Sequence, residues 1–378
     1  MQLQSAPAIR TRRKARNSEC DEARIIAQAI RHATFDEDLL PILNPYDPHS
    51  CAKPLGWVIG RRFPDRRVAF LDRAQGEKLY CAFTSFDAIL AATGLGKALD
   101  AIDWSKAWSG NPVVGNYYDF WPGTGQPNSG LLTGSAFTAL PHTDADAGAI
   151  LHGGNVSTDT KNLLAAYPMA TAGASAPTFY LYDRVLTYEA CTFNAATLQA
   201  MTNTLPALRY VSGAPGMRAF IAAQTVNGAT AAQLSGLTYV DQAGNTAHAM
   251  PTTPSANFIA SAAAPATLNA ARLNCPAVSA GTVPYSKFLL LASGDQGMRS
   301  ITNYTTTAAN TGTNYFCLCR QLAVIPCPFP IGSTGIIDFV QGIPNLPIIL
   351  DGACLSMLAL APVATAANLA CGLGVAWG

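Results

Sequence analysis

Gly213-Ala-Pro-Gly216-Met217-Arg218-Ala219-Phe220 and Gly294-Asp-Gln-Gly297-Met298-Arg299-Ser300-Ile301 are one phrase written twice, 81 residues apart. An apolar run precedes each copy and a Thr/Ala-rich alternating run follows it, the layout of strand, tight turn and strand. The pattern predicts two copies of one β-hairpin-like unit. Glycines flanking two loop residues suit a turn that needs positive φ, which glycine adopts without a Cβ clash. Arg218 and Arg299 then occupy equivalent places. Their expected role is structural, satisfying loop carbonyls or pairing with a lone acid, with an interface contact as the alternative.

Outward from the repeat the chain continues to read as β. Residues 179–188, Phe-Tyr-Leu-Tyr-Asp-Arg-Val-Leu-Thr-Tyr, carry the aromatic and β-branched side chains of a strand. A helical turn capped by Asn194 is expected over 195–201. Residues 237–240, the turn 241–245 and residues 246–250 predict a hairpin. Further strands are expected at 208–211, 218–226, 287–292, 298–307, 314–324, 335–340, 347–350 and 354–360. Strands about ten residues apart with turn signals between them favour a mainly β jelly-roll or β-sandwich containing an internal duplication, over residues 178–378.

The first part of the chain has a different character. Arg10, Arg12, Arg13, Lys14 and Arg16 form a basic run with no aromatic partners, read as an arm. Ser18 can cap a helix over 19–33. Residues 35–64 are broken by Pro41, Pro45, Pro48 and Pro54 and predict an extended segment. Helices are expected at 85–92 and 98–108. Residues 1–109 are therefore an N-terminal region of basic arm, helices and proline-rich extended chain. Residues 110–177, rich in Gly, Pro and aromatics including Tyr117, Tyr118, Phe120 and Trp121, predict a long ordered loop region and the domain boundary. Those aromatics also offer a stacking platform for a receptor- or glycan-binding module.

Charge sets limits on function. Charged residues are 12% of the chain, against about 25% in an ordinary soluble domain. Residues 1–106 hold 16 of the 24 Lys/Arg and 13 of the 23 Asp/Glu, leaving 18 charged side chains for the remaining 272 residues. A surface so poor in charge implies cover by other subunits. Residues 1–16 lack the apolar stretch of a secretory signal, so synthesis in a cytoplasm is expected. Residues 353–377 are uncharged and long enough to cross a bilayer, but Pro362, Asn368, Gly372 and Gly374 interrupt them and buried strands are expected instead. The ten cysteines show no paired zinc-knuckle spacing. Most read as small buried apolar residues, with Cys317, Cys319 and Cys327 as candidates for disulfides formed outside the cell.

Catalytic patterns are sparse. His152-Gly153-Gly154 resembles an esterase oxyanion loop, yet no Gly-x-Ser-x-Gly elbow supplies the nucleophile. Ser50-Cys-Ala-Lys53 fits a serine-x-x-lysine pattern without its companion motifs, and Gly94-Leu-Gly96-Lys97 lacks the upstream glycine of a phosphate loop. Asp144 and Asp146, in His142-Thr-Asp-Ala-Asp-Ala-Gly148, are weak candidates for Ca²⁺. With His152 they form the cluster on which a hydrolase would depend. No cofactor is expected, and the chain reads as non-enzymatic.

The last third carries a resemblance. Residues 292–301, then 322–326, 344–347 and 351–355, and the terminal Ala376-Trp-Gly378 resemble a group of tailed-bacteriophage virion structural proteins. The similarity reaches back to Tyr180 through 203–206 and 239–245, about the C-terminal half. It implies a place in a particle and not a specific station, and it carries no catalytic residues; the expectation built on it is a structural component of the head-decoration or collar type. The expected partners are copies of the chain and other virion proteins (capsid, portal, neck or tail), with nucleic acid touched only by the arm of Arg12 and Arg13 and no membrane.

Overall fold

The computed structural model describes residues 37–42, 56–61, 68–72, 92, 95–171, 177–193, 197–203, 209–210, 216–228, 232–251, 257–258, 269–277, 286–327, 332, 334–342 and 346–378. The chain is mainly β, built from several antiparallel sheets. It divides into two compact units, Met1–Leu90 and Ala91–Gly378. In the first, β1 (Glu37–Ile42), β2 (Gly56–Arg61) and β3 (Val68–Asp72) pair as an antiparallel meander. The proline-broken segment 35–64 thus supplies two strands that pair with each other. The basic run with Arg12 and Arg13, and the helix expected at 19–33, lie outside the described residues, as does the helix expected at 85–92 apart from Ala92, which is helical.

The second unit opens with β4 (Ala98–Trp108), β5 (Tyr117–Asp119), β6 (Gly125–Gln126), β7 (Ala139–Pro141) and β8 (Lys161–Ala170). Then come β9 (Thr178–Phe193), β10 (Gln199–Ala200), β11 (Met217–Ala223), β12 (Leu234–Asp241) and β13 (His248–Ala249). Short strands β14 (Asn257–Phe258), β15 (Ala271–Arg272) and β16 (Pro276–Ala277) precede the long β17 (Met298–Thr306) and β18 (Asn310–Pro326). The chain ends with β19 (Ile337–Asp338), α1 (Phe339–Gly342), β20 (Ile348–Ile349), β21 (Leu355–Leu360) and β22 (Ala367–Trp377).

Seven strands make the central sheet, in the order β11-β18-β9-β21-β5-β15 with β7 added against β9. A six-stranded sheet, β19-β8-β22-β4-β6 with β20 against β8, covers one end of it. Trp104, Trp108, Leu163 and Leu373 from the cover meet Phe120, Phe179, Leu181 and Met357 from the central sheet. A four-stranded sheet, β10-β17-β12-β13, covers the other end, where Leu237, Tyr239, Ile301 and Tyr304 meet Leu186, Tyr188, Phe316 and Leu318. Register shifts in the β18–β9 ladder reconcile the two contacts, because an extra residue reverses which parity faces which side. Phe179 and Leu181 precede the shift and Leu186 and Tyr188 follow it, so both sets lie on one face. Tyr182, Phe220, Tyr315 and Cys317 fill a third core on the reverse face.

The duplicated phrase does not build two hairpins. Its first copy leads into β11 and its second into β17, which belong to different sheets. The pairing is crossed instead: β11, of the first copy, pairs with β18, downstream of the second, while β17 pairs with β12, downstream of the first. The loops meet where the Gly216 amide donates to the Gln296 carbonyl at 2.9 Å. Among the described residues, Gly216 of the first copy takes positive φ at 78° and Gly294 of the second at 92°.

Five expectations need correction. Residues 98–108 are a strand, not a helix: Trp104, Lys106 and Trp108 are buried while Asp103 and Ser105 are exposed, a period of two. The region 110–177 is not one long loop, since it supplies β5, β6, β7 and β8 to the two larger sheets. Pro168 sits inside β8 without harm because only β22 pairs beside it, β19 having stopped at Ala166. Residues 287–292 are not a strand, residues 209–210 form a turn, and the helical turn expected at 195–201 contains β10 in its described part. Among the described residues no helix is long and apolar enough to cross a membrane. The uncharged stretch 353–377 forms β21 and β22.

Candidate functional site

Polar groups converge on the middle of β9, where consecutive side chains point to opposite sides. Tyr182 and Arg184 share one side and Asp183 takes the other. On the first side the fully buried Asp119 of β5 accepts from the Tyr182 hydroxyl at 2.7 Å, the Tyr315 hydroxyl at 2.7 Å, Arg184 Nη1 at 3.0 Å and the Trp121 amide at 3.0 Å. Arg184 Nε and Nη2 have no hydrogen-bond partner among the described residues. The Trp121 and Tyr315 rings lie 4.6 and 5.3 Å from the guanidinium and stabilise it through their π faces. On the second side Asp183 accepts from Arg209 Nη2 at 2.6 Å, the Tyr210 hydroxyl at 2.9 Å and the Cys354 amide at 2.9 Å.

Beside this core runs a chain of three groups. Asp146 Oδ2 stands 2.6 Å from His142 Nδ1, and His142 Nε2 stands 2.8 Å from Thr187 Oγ1. Carboxylate, imidazole and hydroxyl in series is the arrangement that activates a serine or threonine nucleophile. Here the order of exposure is inverted: the carboxylate is partly open to solvent, whereas Thr187 is fully buried and donates onward to Glu189 Oε1 at 3.2 Å. No substrate carbonyl can reach that hydroxyl. Burial pushes His142 down to about 4, the hydrogen bond with Asp146 opposing it and the Arg184 charge adding to it.

The second cluster borders a cleft of about 390 Å³ lined by Val156, Asp159, Thr160, Lys161, Arg209 and residues 348–351. The Lys161 ammonium donates to His152 Nδ1 at 2.8 Å and to the Gly154 carbonyl. His152 Nε2 lies 3.0 Å from the Ala353 carbonyl. An ammonium cannot accept, so His152 is the neutral Nε2–H tautomer with both nitrogens engaged. Burial lowers its pKa and the Lys161 charge lowers it further. Asp144 approaches His152 at 3.9 Å. Asp159 pairs with Lys97 at 2.7 Å, and Asp351 accepts from the Val156 amide at 2.9 Å. The cleft therefore holds charge already matched internally, no thiol, and one hydroxyl, Thr160.

The other nominated residues are placed as follows. Asp144 and Asp146 do not converge as a Ca²⁺ pair, because Asp146 turns to His142 and Asp144 to His152. Trp121 is buried and packs edge-on to His142 at 5.2 Å, so it is no surface platform; a Cβ at Gly130 would lie 2.0 Å from its ring. Tyr117 packs on Tyr180 at 5.8 Å. Arg218 Nη2 donates to the Leu289 carbonyl and Arg299 Nε to the Gln242 carbonyl, each at 3.0 Å. Cys317, Cys319 and Cys327 are buried and no disulfide joins them, since their strands turn the thiols into packed cores. A third cluster places His248 between Asp295, at 2.9 Å, and Asp241, at 3.6 Å.

Lys161, Thr187, Glu189 and Cys354 were not singled out from the sequence. Their partners are far away along the chain, as with His142 and Thr187, 45 residues apart, and no local spacing signals them. No protein-family model matches the chain, and the search of curated proteins finds no match.

Proposed function

We propose that this protein is a non-enzymatic structural component of a tailed-phage virion, assembling as an oligomer at the neck or collar or on the head surface and stabilising the particle. The observation that carries the reading is the placement of charge against apolar side chains. Of the 18 charged residues after position 106, Asp119, Lys161, Asp183, Arg184, Glu189 and Asp241 are buried. Large apolar side chains stand in solvent instead, Leu131 at 66% exposure and Leu151 at 70%. Such a molecule has little surface charge to keep copies apart and apolar surface to bring them together.

The layered sheets and the crossed repeat are read as a β-sandwich with an internal duplication, a shape suited to presenting broad faces to neighbours. The virion assignment rests on the sequence resemblance of the C-terminal half. It is tested by mass spectrometry of particles purified from lysate on a density gradient. A constant copy number of this chain per capsid protein across the particle peak supports it. A chain that stays at the top of the gradient with soluble host proteins overturns it.

A further inference from the structure

The direction of the hydrogen bonds around His142 leaves one contact unexplained. Thr187 has a single hydroxyl hydrogen, and its bond to Glu189 Oε1 at 3.2 Å takes it. His142 Nε2 must then carry a hydrogen and donate to Thr187 Oγ1 at 2.8 Å. In a neutral ring Nδ1 is therefore a bare lone pair, and it faces the Asp146 carboxylate at 2.6 Å. Two lone pairs so close need a positive centre between or beside them. The fully buried Cys354 thiol completes the group: its sulfur, a ring nitrogen of His142 and a carboxylate oxygen of Asp146 all lie within 4.8 Å of one another.

We propose that His142 Nδ1, Asp146 Oδ2 and Cys354 Sγ form a three-ligand site for a divalent metal ion of the Zn²⁺ class. Nitrogen, oxygen and sulfur donors together suit a borderline-soft ion rather than Ca²⁺ or Mg²⁺. Binding converts the Cys354 thiol to thiolate and releases its proton to solvent, and the two negative ligands balance the ion. In a tetrahedral shell His142 Nδ1 and Asp146 Oδ2 would open to about 3.3 Å apart. Asp146 can make that move because its carboxylate is 35% exposed. Thr187 and Glu189 then form the outer support, the carboxylate accepting from the hydroxyl and the hydroxyl from the imidazole, which fixes the ring with Nδ1 toward the metal. The ion would bolt the 142–150 segment to the start of β21, beside the bridge from the Ile150 amide to the Leu355 carbonyl at 2.9 Å.

The test is a titration of the full-length chain, stripped with a chelator, with Co²⁺ and then Zn²⁺. One Co²⁺ per chain should give a sulfur-to-cobalt charge-transfer band that Zn²⁺ displaces. Cys354→Ser should abolish the band, and Cys371→Ser, in a separate core, should leave it. Asp146→Asn, at a partly exposed position that tolerates the change, should weaken Zn²⁺ binding by about tenfold or more. Absence of the band in the wild-type chain, its survival undiminished in Cys354→Ser, or unchanged Zn²⁺ binding in Asp146→Asn overturns the site. The Asp241, His248 and Asp295 cluster contains no thiol and cannot produce that band.

Discussion

Asp119 shows how a buried ion is tolerated. Its two oxygens take two tyrosine hydroxyls, a guanidinium and an amide, so desolvation of the carboxylate is offset on every side. Removing the acid leaves Arg184 charged and buried with its remaining contacts to rings. Asp119→Ala should therefore lower the unfolding free energy by about 3–5 kcal/mol, read as a shift in the urea midpoint. A change below about 1 kcal/mol would show that the pair contributes little beyond filling space. His152 makes a prediction of opposite character. Its folded pKa lies below the unfolded value of about 6.5, so below that pH the unfolded chain binds the extra proton first. Stability should fall as pH drops from about 6.5 toward the depressed folded value. The groups facing the ring are Lys161, Asp144 and Asp183, and of these Lys161 opposes the proton. His152→Gln should reduce, without abolishing, the slope of the unfolding free energy below about pH 6.5, because His142, also held down by burial, keeps its own share. An unchanged slope would place the pH sensitivity elsewhere.

Elements were legible where side-chain pattern and burial agreed. Residues 179–188 became the core of β9, and the hairpin at 237–250 formed with Thr238 opposite Ala249 and Tyr239 opposite His248. β4 was misread because its alanines and tryptophans fit either period, and only the two-sheet environment selects the strand. β8 was missed because its half-buried face carries Leu164, Ala165, Tyr167 and Met169 in place of polar residues, so no polar alternation marks it. The functional clusters were the least legible part, since Asp144 and His152 come together only with Lys161, and His142 only with Thr187 and Cys354. The repeat marked the strand that follows each phrase, β11 and β17, but the hairpins expected around them do not form, because local turns do not specify which sheet receives a strand. The crossed arrangement is held by Tyr239, whose hydroxyl donates to Asp295 at 2.5 Å and accepts from the Ala292 amide at 2.7 Å. Tyr239→Phe should destabilise the protein by about 1–2 kcal/mol and speed amide exchange at Ala292 and Gly297 more than within β9. Uniform acceleration across all strands would mean that the loop is not an independent contact.

At the scale of the molecule, ionisable groups are concentrated in residues 1–106, six of the 18 beyond them are buried, and the second unit presents apolar side chains such as Leu131 and Leu151 at its surface. That distribution is costly for a solitary protein and natural for one covered by its own copies. The measurement closest to this claim is the solution mass of the full-length chain by light scattering across a concentration series, alongside Leu131→Lys and Leu151→Lys. The account predicts a discrete oligomer at micromolar concentration that shifts toward monomer in one or both variants. A wild-type chain that remains monomeric and soluble throughout the series contradicts it.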